Sequence, residues 1–170
     1  MCIIIDTNTF SSVFDKDSLQ HKEFSPVLSW LIEGEGKIVF GGTKYIGELK
    51  LAKKYLRFIG QLNRARKVVQ LENKPIDEYQ SVLEAIEKHK DFDDPHLVAI
   101  SYISKCRLIC SLDKRAFPFL SRKDFYPNNS PRPSIYCSKK NSNLLCRRYF
   151  ADICNPCIKL NKEAISILKK

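Results

Sequence analysis

Apolar clusters along the chain alternate between two periods. The run "CIII" at residues 2–5 is short, continuous and mostly β-branched, which predicts a strand buried on both faces. "SPVLSWLIEGEG" predicts a helix with Ser25 as N-cap, Pro26 at the first helical position and Gly34 as its stop. "KIVF" predicts a second strand. From Tyr45 to about Leu62, the apolar positions Tyr45, Leu49, Ala52, Leu56 and Ile59 share one helical face, and Lys50, Lys53, Lys54 and Arg57 fall on another. This span reads as one amphipathic helix with a basic outside. "DEYQSVLEAIEKHK" predicts a helix capped by Asp77, and "PHLVAISYISK" predicts another, beginning beside Asp93 and Asp94 with Pro95 in its first turn. "RLICSL" and "SIYC" are short buried strands bounded by polar residues. Strands alternating with helices predict an α/β fold of three layers, a mostly parallel central sheet with helices on both faces. The stretch "YPNNSPRPS" has the composition of a loop. After about Lys139 the chain becomes richer in Cys, Arg and Asn, so residues 1–138 read as one domain and 139–170 as a Cys-containing helical extension.

Composition narrows the partners. At 170 residues with 44% apolar content, the chain can bury one core of ordinary size. Lys and Arg outnumber Asp and Glu by 29 to 19, a formal charge of +10, which favours a polyanionic partner such as nucleic acid or an anionic membrane surface, and charge alone does not choose between them. No segment approaches the roughly 20 apolar residues of a membrane span, and no basic leader precedes an apolar run. The expectation is a soluble cytoplasmic protein with no membrane partner. Seven cysteines, an odd number without a secretory signal, predict reduced thiols rather than a disulfide framework.

The strand ends carry the candidate chemistry. In an open parallel α/β sheet, ligands collect at the carboxyl ends of the strands near the point where strand order reverses. Asp6 closes the first strand and Asp113 closes "RLICSL". Asp94 begins the helix feeding that strand, and Glu48 lies in the helix after "KIVFGG". Four carboxylates gathered in one place repel strongly unless a cation neutralises them. An all-oxygen set suits Mg²⁺ or Mn²⁺.

"IIIDTN", "GEL" with Glu48, "DDPHLVAIS" and "LICSLDKRAF" resemble, in order, the four acidic blocks of PIN-domain nucleases. The resemblance covers roughly residues 1–138. It implies metal-dependent hydrolysis of phosphodiester bonds, usually in RNA. Many small bacterial members are toxins of toxin–antitoxin pairs, so it also implies an antitoxin protein and a homodimer as partners. Carried over, Asp6, Glu48, Asp94 and Asp113 are catalytic, metal-binding carboxylates, with Asp93 the substitute for Asp94. Asn8 and Ser111 are their polar supports. Lys44, Lys114 and Arg115, adjacent to these blocks, are the expected RNA-backbone contacts.

Other readings of the same residues stay open. Asp94 before Pro95 is also a good N-cap, and Asp113 before Lys114 and Arg115 is also an ordinary turn. A PIN-like RNA-binding scaffold without catalysis, or a doubly wound phosphatase, would place an aspartate after the first strand as well. Against the phosphatase, position 8 holds Asn where a second aspartate is expected. Cys137, Cys146, Cys154 and Cys157 could hold a structural Zn²⁺, but their spacing matches no standard finger and zinc is not the expectation. His21, His89 and His96 are scattered, and His96 reads as a helix-start residue rather than a ligand.

Overall fold

The computed structural model describes residues 1–169. Its five strands are β1 (Cys2–Ile5), β2 (Lys37–Phe40), β3 (Val68–Gln70), β4 (Leu108–Cys110) and β5 (Ser134–Tyr136). They form one sheet in the order β3-β2-β1-β4-β5, with every pairing parallel. The flanking helices are α1 (Phe10–Phe14), α2 (His21–Ile32), α3 (Thr43–Leu51), α4 (Lys53–Arg64), α5 (Asn73–Ile86), α6 (Pro95–Ser104), α7 (Phe117–Leu120) and α8 (Lys162–Leu168). This is the three-layer α/β fold anticipated from the alternation of strands and helices. Ile3, Ile4 and Ile5 are fully buried, as a central strand covered on both faces requires. Strand order reverses at β1, since β2 and β3 extend the sheet to one side and β4 and β5 to the other. The carboxyl ends of β1 and β4 therefore flank the switch point.

Several elements differ from the sequence expectation. The span from Tyr45 to Leu62 is two helices, because the chain turns at Ala52 (φ −77°, ψ 49°) and leaves Leu51 exposed. The turn resets the buried face. Leu56 is exposed, and Tyr55 and Phe58 instead pack against Phe10 and Phe14 of α1. Helix α2 begins a turn before Ser25 and runs through Pro26, which has no amide for the Lys22 carbonyl. The Ser25 hydroxyl donates to that carbonyl at 3.4 Å in its place. Strand β3 escapes the apolar pattern because it is a three-residue edge strand with half-buried valines, entered from Arg66 in a left-handed conformation (φ 58°).

Asp77 lies inside α5 and does not cap it. Its carboxylate reaches α3, accepting from the Thr43 amide at 2.7 Å and the Thr43 hydroxyl at 2.6 Å. It thus supplies the N-terminal cap that Gly42 cannot, on the helix that carries Glu48. Asp77→Ala should lower the unfolding free energy by about 1 kcal/mol, read as a lower urea midpoint at unchanged slope.

The tail is fastened to the sheet. Cys2 and Cys154 form a disulfide, with Cα atoms 6.2 Å apart, which corrects the expectation of seven reduced thiols. Both cysteines are fully buried where the tail crosses the start of β1. The cysteines weighed as a zinc set thus have Cys154 bonded elsewhere, while Cys157 contacts the N-terminal ammonium. Lys67 is fully buried and donates to the Gly34 and Ile158 carbonyls at 2.7 Å each, a second attachment. Burial and the charge of Lys37 push its pKa down to about 8. No helix among the described residues is long and apolar enough to cross a membrane.

Candidate metal centre

Asp6 leaves β1 directly into the switch point and is 2% exposed. Its amide extends the β1–β4 ladder by donating to the Cys110 carbonyl at 2.9 Å, so its backbone position is set by the sheet. One carboxylate oxygen accepts from the Asn8 amide at 2.9 Å and the other from the Ser111 hydroxyl at 2.8 Å. Asn8 and Ser111 thus both touch Asp6, Asn8 through its backbone only. Burial raises the Asp6 pKa and outweighs these two hydrogen bonds, which lower it. Ser111→Ala would leave a buried carboxylate oxygen without its donor, a cost of about 1–3 kcal/mol. The expected result is a lower thermal midpoint than that of wild type at pH 7.

The other acids arrive from helices. Glu48 comes from α3, and Thr7, in the 3₁₀ turn after Asp6, donates its hydroxyl to Glu48 Oε2 at 2.7 Å. Tyr45, one turn earlier on α3, is fully buried and donates to the Ile5 carbonyl at 2.6 Å, which fixes α3 against the end of β1. Burial pushes the Glu48 pKa up, but contacts with His96 and Thr7 and the charge of Lys44 prevail and leave it below the usual value.

Asp94 sits at the N-cap position of α6, yet its side chain makes no capping bond and is left for the site. Burial, then the charge of Asp6, pushes its pKa up to about 6. Between the two neighbouring acids the structure places Asp94 in the buried position. Asp93 is exposed, and its carbonyl accepts from Lys44.

Asp113 does not join the group. Arg115 clamps it with two side-chain hydrogen bonds, at 3.1 and 2.7 Å, and these hold its pKa below the usual range. Its amide donates to the Ser111 hydroxyl at 3.1 Å, one residue removed from Asp6. Arg115, expected at RNA, is therefore engaged by Asp113. Lys114 is exposed.

His96 and Thr7 are the residues the sequence reading missed. His96 is in the first turn of α6, as expected, but it is 1% exposed, with Nε2 3.4 Å from Glu48 Oε2 and Nδ1 3.9 Å from Asp94 Oδ1. A signal for it existed. Helix α6 is apolar on all sides, and such a helix is buried all round, so any polar residue within its first turns must find a polar partner.

Donor atoms of Glu48, Asp94 and His96 all lie within 4.8 Å of one another; Asp6, like Asp113, is outside that set, but its charge acts on Asp94. Among the described residues, no other set of three or more His, Cys, Asp or Glu donors converges in this way. Burial raises the pKa of both Asp6 and Asp94, with the charge of Asp6 adding to the effect at Asp94, and a bound cation would favour the ionised form of each. His96 Nδ1 has no hydrogen-bond partner among the described residues. The donor set fits a small divalent cation. A groove of about 640 Å³ lined by Phe14, Leu28, Tyr55, Phe58 and Leu168 lies elsewhere and includes none of these residues. Compared with known protein families, curated proteins and solved structures, the chain has no significant match.

Proposed function

We propose that this chain is a PIN-like, metal-dependent endoribonuclease that hydrolyses RNA phosphodiester bonds. The observation that supports it best is the convergence of Glu48, Asp94 and His96 donors, with the buried Asp6 acting on Asp94 through its charge, at the switch point of a parallel sheet in a chain of net charge +10. When bound, Mg²⁺ or Mn²⁺ supplies Lewis acidity toward the phosphate and a water acidic enough to attack at neutral pH. Asp6 and Asp94 serve as ligands held in place by the sheet and by the start of α6. Glu48, braced by Thr7, faces the same point and can take the proton of an attacking water. Lys44, at the rim beside Asp93, and Lys114 hold the RNA backbone without reading bases.

By the resemblance to small bacterial toxins, we extend the proposal to a cytoplasmic protein paired with an antitoxin and able to form a homodimer. The basic surface makes its own prediction. Affinity for single-stranded RNA should fall linearly on a log–log plot against salt, with a slope of roughly −0.7 per phosphate neutralised. A salt-independent affinity would contradict it.

The experiment is cleavage of labelled single-stranded RNA by the purified chain in Mg²⁺, in Mn²⁺ and in EDTA. Cleavage should need the metal and stop in EDTA. One observation favours a second reading, an RNA-binding protein without catalysis: the fourth acid, Asp113, is held by Arg115. Binding unaffected by metal, with no cleavage in either ion, would select that reading.

A further inference from the structure

We propose that His96 is a direct nitrogen ligand of the metal ion and that the centre therefore selects Mn²⁺ over Mg²⁺. This rests on the metal-centre reading above and adds to it the identity of the ion. The observation is an orphaned atom. His96 Nδ1 is buried with no hydrogen-bond partner among the described residues, and it faces Asp94 Oδ1 across 3.9 Å. That gap is too long for a hydrogen bond. Two cis ligands about 2.1 Å from one octahedral ion lie roughly 3.0 Å apart, so a bound ion would draw these two donors closer by roughly 1 Å.

The neighbouring groups set the orientation. Glu48 Oε2 lies 3.4 Å from Nε2, so in a neutral imidazole the proton is favoured on Nε2 beside this carboxylate, which would leave the lone pair on Nδ1, on the side of Asp94. Tyr45 packs edge-on against the imidazole with ring centroids 6.1 Å apart, which limits its rotation. The helix carrying His96 is buried along its first two turns, so the ring cannot swing out to water. Asp6 already accepts from Ser111 and Asn8, and Glu48 from Thr7. The Asp94 carboxylate, which makes no capping bond, and Nδ1 face each other without donors of their own.

The choice of ion follows from donor chemistry. Mg²⁺ takes oxygen ligands and keeps its waters, whereas imidazole suits transition metals; Mn²⁺, a carboxylate-binding ion that is also the first of the transition series, gains from a nitrogen donor what Mg²⁺ does not. A centre of carboxylates with one imidazole gains affinity for Mn²⁺ and gains little for Mg²⁺.

The test uses the full chain and Mn²⁺ as probe. Pulsed electron paramagnetic resonance of the bound ion should show coupling to a ¹⁴N nucleus. In His96→Asn, which offers an oxygen near the position of Nδ1, the coupling should vanish, and the Mg²⁺ needed to displace half the Mn²⁺ should fall roughly tenfold or more. Bound Mn²⁺ that shows no nitrogen coupling in the wild type overturns the inference, whether or not the variant folds. So does a Mg²⁺/Mn²⁺ competition unchanged in a folded His96→Asn. If Mn²⁺ binding is still lost in Asp6→Asn, the metal-centre reading survives that failure. If no Mn²⁺ binds, or binding is indifferent to Asp6→Asn, both fall together.

Discussion

Asp6→Asn should cut RNA cleavage by at least about a hundredfold while leaving the thermal midpoint of the metal-free protein level or higher. The two effects part because Asp6 is under opposing demands. Its backbone belongs to the sheet, and its oxygens accept from Ser111 and Asn8, contacts that an asparagine can largely keep, since the Ser111 hydroxyl can turn to accept from the new amide. Its charge sits buried near Glu48 and Asp94, where it raises the pKa of Asp94. Removing the charge relieves the fold and removes a metal ligand. Melting curves without metal and single-turnover cleavage with Mn²⁺, on the same preparations, separate the two. A variant that melts early yet cleaves normally when folded would make Asp6 structural.

Metal-free protein should lose stability as pH rises through about 6, and Asp94→Asn should not show that loss. The sign follows from the direction of the shift. Asp94 has a folded pKa of about 6 against an unfolded value of 3.8, so the folded state binds its proton more tightly. That contribution is fully present below the unfolded pKa and is lost as pH climbs through the folded one. Asp6, raised by burial, acts in the same direction. Asp94→Asn should match wild type near pH 4 and exceed it at pH 7 by on the order of 2 kcal/mol. A divalent cation at a hundred times its dissociation constant restores about 2.7 kcal/mol, roughly 5–10 °C in thermal midpoint for a chain of this size. Urea unfolding of both proteins from pH 4 to 7 in EDTA checks this, and a constant offset between them would refute the electrostatic origin.

What was legible in the sequence was whatever rests on burial. The run at residues 3–5 can only be a central strand, and a carboxylate at its end can only face the switch point of a parallel sheet. Helix ends were less legible, because their caps come from afar. Asp77 looks like the cap of its own helix and serves α3 instead, across 34 residues. Asp94 looks like a cap and makes no capping bond. The kink at Ala52 was hidden because Leu56 continues a helical stripe that only packing against α1 can break. Acid positions were legible as strand ends, but their pairing was not. Asp113 before Arg115 already reads as a turn, and the clamp two residues along decides for that alternative, whereas nothing local tells that Asp94 stays free for the site. His96 could have been placed by asking what a polar residue does at the start of a wholly apolar helix. The Cys2–Cys154 disulfide joins residues 152 positions apart, beyond the reach of any local pattern.

The most direct test of the central claim is anomalous diffraction from crystals of the full chain soaked in Mn²⁺. One strong peak is expected at the carboxyl end of β1, with oxygens of Asp6 and Asp94 about 2.1 Å away. A soaked crystal with no peak there, or with Mn²⁺ bound only at other surface carboxylates, would contradict it.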